Sequence, residues 1–340
     1  MKSRERAMRA GWAHCCLVLL CLMAWPGAAE PTEPEPGQGT WRTAAPAPLK
    51  RTEAVAASVN GKIDVVGGFE PPGLGNLLKL AITSAVEEYD PLSDRWTAKA
   101  SMPMGLHHVG IGVAGGIVYV IGGYRQSGLS VWQPVAFVYA YDPSTDVWTE
   151  RTPMPTARGA LAVAEFGGTL YAVGGFGEKG NSAAVEAYDP ASDRWVSRAP
   201  LPTPRDHLAV TTLGEKIYAI GGRLNGDYQR NLAVTEIYDP ASDRWEAAPP
   251  LPTARSGIAA VSLTNRLYVF GGEGPEGTFR ENEAFDPARR TWQVMAPMPT
   301  GRHGLGAAGL DGGIHVIDGG PTPGGSFSNL HEVFTPPAAH

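Results

Sequence analysis

The pair Gly-Gly closes a short apolar run at six places, Gly67-Gly68, Gly122-Gly123, Gly174-Gly175, Gly221-Gly222, Gly271-Gly272 and Gly319-Gly320. Recurrence at a period of roughly 50 residues means that one supersecondary unit is repeated along the chain, which constrains the fold more than any other feature. A tryptophan keeps register with the pair. Trp41, Trp96, Trp148, Trp195 and Trp245 all stand at one fixed interval before the first glycine, and Trp292 stands one position further from Gly319, as if the last unit carried a one-residue insertion. Another fixed interval separates Tyr89, Tyr141, Tyr188, Tyr238 and Phe285, each followed by Asp-Pro, from the next tryptophan. The stretch from the second glycine to that aromatic changes from unit to unit, so the length variation is collected in one loop of each.

Each unit holds four strand signals. In the fourth they are Leu208 to Leu213, Lys216 to Ile220, Ala233 to Tyr238 and Arg244 to Ala247, with Asp239-Pro240 supplying a side-chain acceptor and a fixed φ for the last turn. Small residues alternate with larger ones in the first strand, as expected where sheets converge on an axis, and glycines mark close backbone approach. Six radially arranged, four-stranded antiparallel sheets satisfy the pattern and leave only short, protected edges. The expected fold is therefore all-β, a six-bladed β-propeller spanning residues 40–337.

Taken together, the diglycine after an apolar strand, Tyr-Asp-Pro, Trp, and then Pro-Met-Pro or Pro-Leu-Pro with an Arg resemble the Kelch repeat, from residue 41 to about 337. The last unit has Glu332-Val333-Phe334 in place of a third strand and no tryptophan after it. Trp41 has no third strand before it, so Thr40 to Ala44 is expected to complete the sixth blade and close the ring.

Ahead of the repeats lie Lys2, Arg4, Arg6 and Arg9, an apolar run from Cys15 to Trp25, and Gly27-Ala28-Ala29. That order reads as a secretory signal peptide over 1–29, followed by a disordered Pro/Glu-rich linker over 30–39. The apolar run is short for a membrane span, so none is expected in the mature chain. All three cysteines (Cys15, Cys16, Cys21) fall in the signal, so an exported chain of periplasmic, cell-surface or secreted location is held by its core alone. Arg outnumbers Lys threefold and Ala and Gly abound, a composition in keeping with a bacterial source. Loss of the signal removes four bases and one acid, Glu5, taking the formal charge from −6 to −9. That balance argues against a nucleic-acid partner and against a polybasic membrane patch.

Sixteen residues before each diglycine, with the insertion allowed for in the last unit, stand Arg51, Leu106, Arg158, Arg205, Arg255 and Arg302. Entering the innermost strand, they and the next two positions are expected to ring the channel mouth. In the resembled family the mouth and variable loops form the binding face, which implies an Arg-bordered site for carboxylate or phosphate. Once per blade is also what a scaffold needs if each guanidinium satisfies backbone carbonyls. Departures from the repeat are His107-His108, Asp206-His207 and His303. None has the spacing of a metal motif and the mature chain has no thiolate, so no metal and no cofactor are expected. In the loops, Trp132, Arg223, Tyr228 and Arg280 complete the candidate ligand contacts, with Arg125 beside them.

Catalytic signatures are missing. There is no Gly-x-Ser-x-Gly elbow, P-loop or His-Glu-x-x-His, and the diglycines lead into strands, unlike a dinucleotide fingerprint. Copper-radical oxidases sharing this propeller need a cysteine cross-linked to tyrosine, which the mature chain lacks. The ubiquitin-ligase adaptors of the family carry a helical partner-binding domain ahead of the propeller, and the signal segment stands there instead. The expected function is that of an exported, non-enzymatic, monomeric binding module for a protein or glycan. The alternative is an enzyme resembling the periplasmic Kelch sialate mutarotases, in which arginines such as Arg205 would hold a sugar carboxylate beside an acid/base such as Glu53, His108 or His207.

Overall fold

The computed structural model of the chain describes residues 37–73 and 81–338; the signal segment and most of the linker lie outside them. Six four-stranded antiparallel sheets, with five two-stranded hairpins in the loops between strands, make up the ordered elements of the described chain. Their innermost strands are Val55–Val59, Gly110–Ala114, Ala162–Phe166, Ala209–Leu213, Ala259–Leu263 and Gly306–Leu310, here numbered blades one to six. Blade four shows the plan: Ala209–Leu213, Lys216–Ile220, Thr235–Asp239 and Arg244–Ala247 pair in that order. The second strand of each blade is buried over its last four residues because blades stack on both of its faces; Ile217 to Ile220 are all buried. The outermost strands are largely exposed.

The sixth blade is shared between the chain ends. Thr40–Thr43 pairs antiparallel with His331–Thr335, placing Trp41 opposite Phe334. The Trp41 ring packs on Phe270 and Phe334. Its indole N–H donates to the Ala296 carbonyl at 2.9 Å. The other repeat tryptophans do the same, Trp96 to Ala45, Trp148 to Ala100, Trp195 to Thr152, Trp245 to Ala199 and Trp292 to Pro249. Each blade is thus tied to the preceding one at its outer edge, and Trp41 supplies the tie between blades six and five.

The insertion expected in the last unit is not there. Asp318 and Gly319 take the left-handed conformations that Gly67-Gly68 take in blade one (φ 58° and 97° against 63° and 96°). The Gly319 amide donates to the Arg51 carbonyl just as Gly123 donates to Arg158 and Gly175 to Arg205. Asp318 therefore replaces the first glycine, and the interval from the tryptophan is the same in all six units. At Gly67 a β-carbon would lie 2.6 Å from the Leu106 carbonyl oxygen, which is why glycine otherwise holds this place. At the seam of blades six and one the aspartate is used instead, accepting from Arg51 Nε at 3.0 Å.

Beneath the outer strands His331 Nδ1–H donates to the Ala45 carbonyl, so its Nε2 accepts from His315 Nδ1–H at 2.8 Å. Burial pushes the two imidazoles down to about 3 (His315) and about 4 (His331); Asp94 nearby works against the shift and Arg42 with it. Histidines kept neutral in the fold but protonating near pH 6.5 when unfolded contribute stability that is present above pH 6.5 and lost as pH falls toward 4.

Two outcomes follow for stability. Trp41→Ala should lower the unfolding free energy by about 3 kcal/mol in urea melts, as other aromatic truncations do; a melt matching wild type would refute the closure. Between pH 6.5 and 4 the His315→Phe variant should lose less stability than wild type, and parallel pH profiles would contradict the neutral pair.

Candidate ligand site at the channel mouth

The structure places the repeated arginines inside the blades, away from the mouth. Arg51, Arg158, Arg205, Arg255 and Arg302 are fully buried. Arg205 shows why: its Nη1 lies 2.6 Å from Glu236 and also donates to the Thr203 carbonyl, while Nε and Nη2 donate to the Gly221 and Ala219 carbonyls. Arg158 with Glu186, Arg255 with Glu283 and Arg302 with Glu332 repeat the pairing. Arg51 pairs with Glu87 and Asp318. These guanidinia are buried and paired inside the blades and do not reach a ligand at the mouth, which corrects the expectation of an Arg-bordered rim. Blade two confirms the logic by exception. Leu106 replaces the arginine, and the glutamate position of the third strand is Tyr139; both are buried in one apolar cluster.

Breaking one such pair leaves a buried charge alone. Arg205→Met should destabilise by about 3–5 kcal/mol, whereas Arg205→Leu with Glu236→Tyr, copying blade two, should recover most of the loss in denaturant melts. A double variant no better than the single one would dismiss the equivalence.

What does ring the mouth is the position two residues on. Glu53, His108, Ala160, His207, Gly257 and Gly304, one from each blade, all have φ between 51° and 66°. Their backbones form a closed circle of hydrogen bonds: Glu53 N–H to Gly304, Gly304 to Gly257, Gly257 to His207, His207 to Ala160, Ala160 to His108, and His108 to Glu53. Large side chains can occupy only part of this crowded ring. A β-carbon on Gly304 would lie 2.5 Å from Glu53 Oε1, so the glycine is what admits the carboxylate. Below the ring, the innermost strands enclose an axial cavity of about 470 Å³, lined largely by small apolar side chains.

Glu53, His108 and His207 bring their polar atoms within 4.8 Å of one another. Glu53 Oε2 lies 3.2 Å from His108 Nε2, and Oε1 lies 3.3 Å from His303 Nδ1. Burial would raise the Glu53 carboxyl, but His108 and His303 hold it well below the usual carboxylate range. Burial would likewise lower His303, but Glu53 and Glu273 raise it above its ordinary value. His107 and His108 are pushed down by burial, His107 to about 4. The spacing argument against a metal fails here, because the three donors come from blades one, two and four and no sequence interval could show their convergence.

A second layer stands behind the ring. The residue before each ring position bridges the residue that follows the diglycine: Thr52 to Phe69, His107 to Tyr124, Gly159 to Phe176, Asp206 to Arg223, Ser256 to Glu273 and His303 to Gly320. This slot is where the blades differ chemically. Arg223 is buried and paired with Glu273 at 2.6 Å and Asp206 at 3.4 Å, and its Nη2 lies 2.7 Å from His207 Nε2. His207 Nδ1–H donates to Asp206, whose other oxygen accepts from Asn181 and from the Gly226 amide. Burial is again opposed at Asp206, where His207, Gly226 and Arg223 hold the carboxyl below its ordinary value.

Beside this layer opens a cavity of about 530 Å³, walled by Tyr124, Trp132 and Phe176 and reaching Asp206, His207 and Arg223. Trp132 stands edge-on to His107, His108 and Tyr124 and yet is 50 % exposed, so it both packs and faces the opening. Two loop candidates do not join it. Tyr228 is half-buried on the hairpin strand Asp227–Asn231, and exposed Arg280 donates to the Met298 carbonyl; neither lines the cavity. Arg125 does not line it either. Asp206 was singled out with His207 as a departure from the repeat, whereas Glu273, Tyr124 and Phe176 were not among the site candidates. The signal that could have found these three is the one variable slot directly after an invariant pair.

Fold and site together define a six-bladed β-propeller with a polar cluster at one mouth. The model of the Kelch motif matches residues 50–103, 105–155, 157–202, 204–252 and 254–299, and the chain belongs to the Kelch repeat family. The unit left unmatched is the sixth, divided between the chain ends. Among curated relatives, Kelch-like protein terF of Aspergillus terreus is 33% identical over 46% of this chain and 35% of its own length. Kelch-like protein 35 of Mus musculus is 32% identical over 41% of this chain and 22% of its own, and beta-scruin of Limulus polyphemus 34% identical over 37% and 13%. The chain thus spans about a third or less of the length of these relatives. Among solved structures, the one titled "Structure of YjhT" superposes with a TM-score of 0.71 at 17% identity, over 84% of this chain and 95% of that one, which shows a shared fold. Among the described residues no helix is long and apolar enough to cross a membrane.

Proposed function

We propose that this propeller is an exported binding protein that takes a glycan at the channel mouth, in the cavity walled by Trp132. That cavity carries the reading. Aromatic faces of Tyr124, Trp132 and Phe176 suit the C–H face of a sugar ring, and Asp206, His207 and Arg223 supply oriented donors and acceptors for hydroxyls. About 530 Å³ accommodates a short oligosaccharide. The arginine is already neutralised by Glu273 and Asp206, which favours a neutral ligand over a carboxylate-bearing one.

A sugar-isomerising enzyme is the second reading, favoured by the Glu53, His108 and His303 cluster, whose carboxylate and imidazoles lie in proton-transfer reach. It loses the buried Arg205 as a carboxylate anchor.

Screening on a glycan array followed by calorimetry on a hit should give binding that Trp132→Ala weakens by about tenfold or more, the loss of one stacked anchor. Equal affinity of wild type and Trp132→Ala would place the ligand elsewhere. Acceleration of anomer exchange in the bound sugar, seen by NMR saturation transfer and lost in Glu53→Gln, would move the assignment to the enzyme.

A further inference from the structure

Hydrogen bonding fixes the tautomers at the mouth. His107 Nε2–H donates to the Val131 carbonyl at 2.7 Å, which leaves His107 Nδ1 as an acceptor. His108 Nδ1–H donates to it at 2.6 Å, so in the neutral His108 ring Nε2 carries a lone pair, which then lies against the Glu53 carboxylate. His207 Nδ1–H donates to Asp206, so its Nε2 is left with a lone pair, and His207 offers a ligand atom within 4.8 Å of those of Glu53 and His108. Two imidazole lone pairs and a carboxylate converge on one place, where they repel unless a cation stands between them. The structure partly supplies one, the Arg223 Nη2 at 2.7 Å from His207 Nε2, but the lone pair of His108 directed at Glu53 is not answered by it.

From this we infer that Glu53, His108 and His207 form a binding site for a divalent transition-metal ion of the zinc class. Neutral imidazole Nε2 with a carboxylate is a zinc donor set, and three protein donors leave a coordination position open. Each imidazole has the outer support such sites need: His207 donates its other N–H to the Asp206 carboxylate and His108 to His107, which fixes ring and tautomer. Charge agrees as well. Three carboxylates, Glu53, Asp206 and Glu273, surround the mouth with Arg223 and His303 as the bases among them, and a dication offsets the carboxylate left over. Glu53 Oε2 and His108 Nε2, 3.2 Å apart, already stand close to the roughly 3.4 Å that a tetrahedral ion with bonds of about 2.1 Å imposes on its donors. His207, whose ligand atom lies within 4.8 Å of the other two, has to close in to reach comparable bonds. Arg223 must release His207 Nε2 for this, while its Nη1 can remain on Glu273. Arg223 is therefore a competitor of the ion, which a purely structural histidine cluster does not predict.

The site goes beyond the glycan reading and needs no sugar for its test. Equilibrium dialysis of the purified chain, free of any affinity tag, against zinc alone should give one ion per chain and a raised melting temperature. Asp206→Asn should weaken the affinity roughly 10- to 100-fold, the usual cost of losing outer support. His108→Ala and His207→Ala should weaken it at least as much, and Arg223→Ala should tighten it. His315→Phe, distant from the mouth, should leave it unchanged. Should an alanine variant fail to fold, Asp206→Asn and Arg223→Ala decide the matter because they act in opposite directions. Wild type retaining no zinc, or affinity indifferent to these residues, overturns the site.

Discussion

Closure of the ring is the constraint on which everything else rests. A radial array of sheets has no stable stopping point until its last blade meets its first, and here the meeting is made by a four-residue strand from one end of the chain laid on a strand from the other. Two concentric circles of hydrogen bonds express that closure. The outer one runs from indole N–H groups to carbonyls of the preceding blade, and the inner one from backbone amide to backbone carbonyl around the axis. Both are complete only because Trp41 and the Glu53 to Gly304 contact span the seam. Asp318, where the other blades have glycine, adds an ion pair to Arg51 at the same seam.

The inner circle also explains why the site is where it is. A left-handed turn recurring in every blade aims one side chain per blade at the mouth. Three of the six positions are Ala or Gly, which leaves room for a carboxylate and two imidazoles from the others. A scaffold requirement of the backbone thus creates a place for chemistry, and the small residues decide how much of it is filled. The buried Arg–Glu pairs serve the scaffold in the complementary way. They saturate carbonyls beside the diglycine and cross-link the inner approach to the third strand, and an apolar pair replaces them in blade two without loss of geometry.

Trp132 links the scaffold to its proposed ligand. Its ring braces His107 and His108 while half of it stays open to solvent, so a ligand stacking there touches a residue packed against both histidines. The proposed glycan cavity and the proposed ion site share His207, which lines the cavity and lies with Glu53 and His108 in one cluster of polar atoms.

By itself the sequence determined the blade count, the four-strand plan and the closing strand, because each depends on a local pattern that recurs: an apolar run ending in diglycine, a Tyr-Asp-Pro turn, a tryptophan at fixed distance. It also singled out His108 and His207 as departures from the repeat, and offered Glu53 beside them as a possible acid/base. It misjudged the arginines because the sixteen-residue interval locates a Cα and says nothing of where a long side chain turns; only packing sent those guanidinia into the blades toward Glu186, Glu236, Glu283 and Glu332. It also took Gly319-Gly320 for the glycine pair, since only the backbone angles distinguish Asp318-Gly319 as its equivalent. The convergence of three polar side chains from blades one, two and four was decided by tertiary structure alone, because residues up to about 150 positions apart become neighbours only when the sheets close around an axis.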